Sequence, residues 1–138
     1  MASEAQALQV ELVAADRTVW SGSASMVIAR TVEGDVGVLR GHAPMLSALT
    51  DAVVEINDED GDVVVAAVDG GFLSVAGDRI SILSQHAVLA EEIDPADVRA
   101  ELEEAQGILS IRPDEAELRI RRAEARLRAV EKATAKAR

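Results

Sequence analysis

Two hydrophobic periods divide the chain. From Leu8 to about position 90 apolar residues come in short runs: LQVELV (8–13), ASMVIART (24–31), AVVEIN (52–57), DVVVAAV (62–68), GFLSV (71–75) and RISILS (79–84). Short runs rich in β-branched residues, the first strictly alternating with polar ones, read as strands. Turn-forming residues separate them at Ala15-Asp16, at Asn57 to Gly61 and at Ala76-Gly77-Asp78. About ten short strands in succession predict an all-β sandwich over residues 1–90. At Asp94-Pro95 the period changes. Asp is a good helix N-cap and Pro a good first helical residue, and Val98, Leu102, Ala105 and Leu109 then repeat at helical spacing. Gly107 and Arg112-Pro113 interrupt this helix. A second follows from Pro113 with the stripe Ala116, Ile120, Ala123, Leu127 and Val130. Residues 91–138 are therefore expected to form an antiparallel two-helix hairpin, with the last residues, 132–138, fraying. Two of the five stripe residues are Ala, so the second helix has little apolar surface to bury and is expected to be a marginal element.

Charge changes this picture more than composition does. The net charge is −11, but residues 1–111 carry −15 and residues 112–138 carry +4. A basic helix on an acidic protein points either to an acidic partner or to contact with the chain's own acidic front. The acidic balance and near-absence of aromatics, one Trp, one Phe and no Tyr, argue against nucleic acid. There is no cysteine, so disulfides and thiolate sites are excluded. The opening MASEAQAL has no basic region and too short an apolar stretch for a signal peptide, and no run is long enough to cross a membrane as a helix. Membrane association is expected only through partners.

Catalytic chemistry finds little support. The glycine-rich run from Glu33 to His42 lacks the Lys-Ser/Thr of a phosphate loop, and Glu33 and Asp35 would repel phosphate. Its glycines read as turn residues with positive φ. His42 and His86 have no metal-ligand spacing. Ser47 and Asp51 do not make a recognisable triad. Neither an active site nor a metal is expected.

The run EGDVGVLRGHAPMLSAL, Glu33 to Leu49, closely resembles the signature of epsilon subunits of F-type ATP synthases, E-G-x-x-G-[IV]-[LY]-x-G-H-A-P-[ML]-L-[ST]-x-L. A second segment is similar as well: Gly70 to Val75, then Ile80 to Leu83, then Ala90-Glu91-Glu92-Ile93-Asp94. The resemblance covers roughly residues 8–135. It implies a non-catalytic rotor subunit of the central stalk, coupling proton-driven rotation of the c-subunit ring to ATP synthesis. The implied partners are the gamma subunit, the c-ring and the alpha and beta subunits. The implied location is the cytoplasmic face of the cell membrane, held there by the complex. Glu33, Asp35 and His42 would lie in a loop facing the c-ring or gamma. The hairpin would restrain ATP hydrolysis, with Arg119, Arg122, Arg126 and Arg128 as candidate contacts to the beta subunit and Arg121 beside them.

Two departures from the family pattern bear on this. Ala52 stands where the family has a turn glycine. Some members bind regulatory ATP through I-D-x-x-R-A, which would make Ile93, Asp94, Arg99, Arg122 and Arg126 the nucleotide candidates. Here Asp97 occupies the Arg position and Arg99 comes two residues late. That offset turns the side chain by about 200° around a helix, so no cofactor is expected. The competing readings are a free-standing adaptor or ATP sensor, which would purify alone, and a small sandwich enzyme, for which His42 would be the residue to test.

Overall fold

The computed structural model describes residues 7–136. Seven strands precede two helices: β1 (Leu8–Val13), β2 (Thr18–Thr31), β3 (Gly34–Leu39), β4 (Met45–Asp58), β5 (Val63–Ala76), β6 (Arg79–Leu83), β7 (Ala87–Leu89), α1 (Pro95–Gly107) and α2 (Pro113–Lys136). A turn of 3-10 helix, Ala90–Glu92, joins the two parts.

The count is seven rather than about ten because β2, β4 and β5 run for 14 residues each. Gly70-Gly71, which reads as a break, is a bend inside β5. Val64, Ala66 and Val68 face away from α2, whereas Val65 and Ala67 pack beneath it. Past the bend Leu73 and Val75 face the same core as Val68. The alternation therefore changes phase at the glycines, and the paired strands β4 and β5 contribute to both layers. Gly71 is required there: its φ is +115°, and a Cβ would come within 1.9 Å of the Leu83 carbonyl oxygen.

Pairing closes on itself. β1 lies antiparallel to β2 and parallel to β6, and the circuit returns through β5 and β4 to β2. The result is a barrel-like sandwich. Leu8, Leu12, Ile56, Leu73, Ile80 and Ile82 fill its interior and are almost wholly buried. β3 is added at one edge and β7 pairs with β5.

Two expectations about the signature run are corrected. It is not one loop, because β3 occupies its centre, paired with β2 from Thr31 opposite Gly34 to Met26 opposite Leu39. Ala52 sits inside β4, buried, with no turn and no positive φ. The positive φ values in this part of the sheet belong instead to Gly70 and Gly71, Gly71 lying opposite Leu49.

The helices start and stop as their residues dictate. Asp94 caps α1, its Oδ1 accepting from the Ala96 N–H at 2.9 Å, with Pro95 in the first position. α1 ends at Gly107 and α2 begins at Pro113. α2 continues through Lys136 rather than fraying from 132; Ala137 and Arg138 lie outside the described residues. It is α2 that lies along β4 and β5. Its buried residues are all alanines: Ala116, Ala123, Ala125 and Ala129. Ile120, Leu127 and Val130, expected to carry the stripe, are only half-buried.

Candidate functional site

The groups with functional potential fall on three surfaces. The first is where α2 meets the sandwich. Asp51 and Asp69 are direct cross-strand partners on β4 and β5. Like charges so placed repel; the Asp69 side chain is buried, 4 % exposed, and that of Asp51 nearly so, at 11 %. Three guanidinium groups from α2 offset the repulsion. Arg126 Nη2 donates to Asp69 Oδ2 at 2.9 Å. Arg122 Nε lies 3.5 Å from Asp51 Oδ1 and 3.9 Å from Asp69 Oδ2, too far for a hydrogen bond, and has no other partner. Arg121 Nε stands 3.5 Å from Asp51 Oδ2. Further along, Lys132 and Lys136 reach Glu55 at 3.6 and 3.7 Å. Toward its C-terminal half α2 packs Ala129 and Ala133 against a patch of Val53, Val63, Val65, Ala67, Val88, Ala90 and Ile93.

The sequence identified the basic side of this contact and missed the acidic side. Asp51, Glu55 and Asp69 interrupt apolar strands, which is a signal, but only strand register brings them together. The other basic candidates lie elsewhere. Arg119 bonds Glu101 on α1 at 3.0 Å and lies near Glu104, holding the hairpin to itself; these bonds push its pKa up, Glu101 contributing most. Arg128 is exposed and lines a cleft of about 390 Å³ together with Arg30, Asp35, Glu55 and Lys132.

The five nucleotide candidates are spread over different structures. The Asp94 carboxylate is used as a cap. Ile93 packs in the patch with Ala129 and Ala133, about 10 Å of helix axis beyond Arg122 at 1.5 Å per residue. Arg99 is exposed on α1. Arg122 and Arg126 face Asp51 and Asp69. Among the described residues no group of acids and histidines could hold a metal ion.

The second surface is the signature run. Glu33 sits exposed in the turn before β3, whose geometry Thr31 sets by accepting from the Glu33 N–H and donating to the Gly34 carbonyl. Asp35 is paired with Arg30 directly across the ladder, Nε to Oδ1 at 2.9 Å, and this hydrogen bond holds its carboxyl below the ordinary 3.8. His42 lies beyond the far end of β3, half-buried, its Nδ1 at 2.7 Å from the Ala43 carbonyl. Glu33 and His42 are thus separated by β3, about 17 Å of extended chain. They are not side by side in one loop as expected.

The third surface was not foreseen. Leu46, Phe72 and Leu83 are 74 %, 54 % and 50 % exposed. Phe72 is directly opposite Leu83, and Leu46 is diagonal to Phe72, so the three form one apolar strip across β4, β5 and β6. The strip borders a groove of about 440 Å³ reaching Val13, Ala14 and Asp69.

Comparison with known proteins agrees with this architecture. Residues 7–90 match the family described as ATP synthase, Delta/Epsilon chain, beta-sandwich domain. The ATP synthase epsilon chain of Streptomyces avermitilis is 50% identical over 123 residues, 89% of this chain and 94% of that one. That of Corynebacterium diphtheriae is 47% identical over 121 residues, 86% of this chain and 98% of the other. A chain in the Euglena gracilis mitochondrial ATP synthase, in a structure of OSCP, F1 and c-ring, superposes with a TM-score of 0.70 at 30% identity, covering 96% of this chain and 81% of that one. At this identity and coverage the chain belongs to the ATP synthase delta/epsilon family, as a non-catalytic member of the epsilon type.

Proposed function

We propose that the chain is a rotor subunit of the central stalk of an F-type ATP synthase, coupling c-ring rotation to ATP synthesis. In this reading the sandwich, residues 1–90, rests against gamma and the c-ring at the cytoplasmic face of the membrane. The hairpin, residues 91–138, restrains ATP hydrolysis by leaving the sandwich and engaging alpha and beta. Among the described residues no helix is long and apolar enough to cross a membrane; in this reading attachment is through protein surfaces. The strip Leu46–Phe72–Leu83 suits a stable apolar seat. Glu33, Asp35 and His42 remain candidates for contact with the c-ring or gamma.

The observation that carries the reading is how α2 is fastened. It is held by ion pairs over a face of alanines, which makes it a detachable element. Arg122 and Arg126 are engaged with Asp51 and Asp69 while docked. They become available to an acidic partner only on release, so docking and braking exclude each other.

Deleting residues 113–138 within the complex tests this. Coupled synthesis should persist and ATP hydrolysis should rise. Unchanged hydrolysis would remove the brake. Phe72→Ser, at an exposed site, should leave the isolated chain folded and reduce its co-purification with gamma; undiminished co-purification would remove the seat.

A further inference from the structure

Among the described residues, Asp78 is the one non-glycine with a positive φ, 61°. Aspartate is one of the few L-residues that enters this region, at a small cost relative to glycine, and the conformation persists where the surrounding structure holds it in place. Both ends of Asp78 are engaged. Its Oδ1 accepts from the Gly41 N–H at 2.7 Å, and its carbonyl accepts from the Gln9 N–H at 2.8 Å. The first bond spans 37 positions and joins the β5–β6 turn to the β3–β4 loop. That loop holds His42. The hydrogen bonds of His42 are local: its N–H to the Leu39 carbonyl at 3.2 Å, and Nδ1 with the Ala43 carbonyl. Gly41 itself has φ +80°, a conformation without a side chain to hold it.

We infer that Asp78 is a positioning residue for partner recognition: its carboxylate clamps the Gly41–His42 backbone and fixes how the signature loop is presented to the rotor. Glycine at 78 would adopt the same φ without strain, so the backbone does not need an aspartate. What aspartate adds is a charged acceptor on a short, stiff side chain, and a hydrogen bond to a charged acceptor is about twice as strong as a neutral one. The inference rests on the reading that this loop faces gamma or the c-ring.

Three full-length variants separate the possibilities. Asp78→Gly keeps the backbone conformation and loses the acceptor. Asp78→Asn keeps an acceptor and tolerates the same φ. His42→Ala tests the loop as an interface. For each, one measures the melting temperature, amide exchange at Gly41, and Kd for a gamma–c-ring assembly lacking this chain. Asp78→Gly should melt near the wild type, because relieved strain offsets the lost bond. Its Gly41 amide should exchange about tenfold faster and its Kd should rise by about fivefold to tenfold, the scale of one ordinary hydrogen bond at an exposed site. Asp78→Asn should restore most of both. Unchanged Gly41 exchange in Asp78→Gly would overturn the clamp. Faster exchange with wild-type affinity, while His42→Ala binds weakly, would overturn the positioning role alone. Wild-type affinity in both would overturn the interface reading and this inference with it.

Discussion

Replacing Asp69 by Asn isolates what holds the hairpin down. The side chain keeps its shape and can still accept from Arg126, but the charge is gone. The structure sets the scale. The apolar contribution of α2 at the patch comes from the methyls of Ala129 and Ala133, each worth about 0.8 kcal/mol if wholly buried. Against that stands a hydrogen bond of 2.9 Å to a carboxylate only 4 % exposed. A bond between two charged partners lies toward the upper end of about 1.5–3 kcal/mol, and one in which only the guanidinium is charged toward the lower end. Two further guanidinium groups then face Asp51 alone. Asp69→Asn should therefore weaken docking by about 1–2 kcal/mol, and Asp51 supplies too little charge to restore it. The assay is amide exchange in the isolated full-length chain. Amides of α2 should open about 5–30 times more often, at tenfold per 1.4 kcal/mol, while those of β1 and β6 keep their protection. The same variant in the complex should hydrolyse ATP more slowly, because the released hairpin still carries Arg122 and Arg126. Equal exchange of α2 amides in variant and wild type would refute the charge-based account of docking. Looser docking without slower hydrolysis would refute its link to the brake.

Two other perturbations follow from the geometry. Gly71→Ala places a Cβ against the Leu83 carbonyl at a φ of +115°; it should cost about 3 kcal/mol or more and lower the melting temperature by on the order of 10 °C, read by calorimetry. The Arg17–Glu92 pair, bidentate at 2.7 and 2.9 Å, ties the β1–β2 turn to the 3-10 turn. Arg17, and after it the Leu89 N–H, hold the Glu92 carboxyl below its ordinary 4.5. A depressed carboxylate stabilises above its unfolded pKa and ceases to do so as pH falls through the folded value. The small stability gap between wild type and Arg17→Gln, expected for so exposed a pair, should hold steady from pH 7 to about 5 and close under stronger acid; a gap that widens in acid would contradict the assignment.

What could be read from the residues is what is written locally. The β-branched runs and the turns at Asp16, Asp58–Gly61 and Gly77-Asp78 placed most strands. The Asp94 cap, Gly107 and Pro113 placed both helices. Strand number was misjudged because Gly70-Gly71 has the chemistry of a turn, whereas here it bends a strand whose neighbour bends with it. β3 was hidden because its two inward residues, Val36 and Val38, stand among Gly and Asp. Burial of α2 was misassigned for a similar reason: Ala125 and Ala129 carry little hydrophobic signal, yet only so small a side chain lets the helix approach closely. Of the candidate surfaces, the arginine stripe was legible and its counterpart was not. Asp51 and Asp69 lie 18 positions apart, and only the β4–β5 register makes them one site. The backbone of Asp78 leaves no mark in the residue pattern beyond an ordinary Gly-Asp turn.

The parallel ladder between β1 and β6 dictates an order of assembly. Gln9 meets Arg79, so the first strand finds this neighbour only after 70 further residues have been made. Long-range pairing of this kind folds in milliseconds to seconds, whereas a helical hairpin with local contacts forms in microseconds. During synthesis, at about 5–20 residues per second, β1 waits several seconds with one edge open. A nascent chain stalled before Arg79 therefore exposes a strand edge with no intramolecular cover. Sealing the barrel, more than folding the helices, is therefore the step expected to be slow and exposed to aggregation, which refolding kinetics would test.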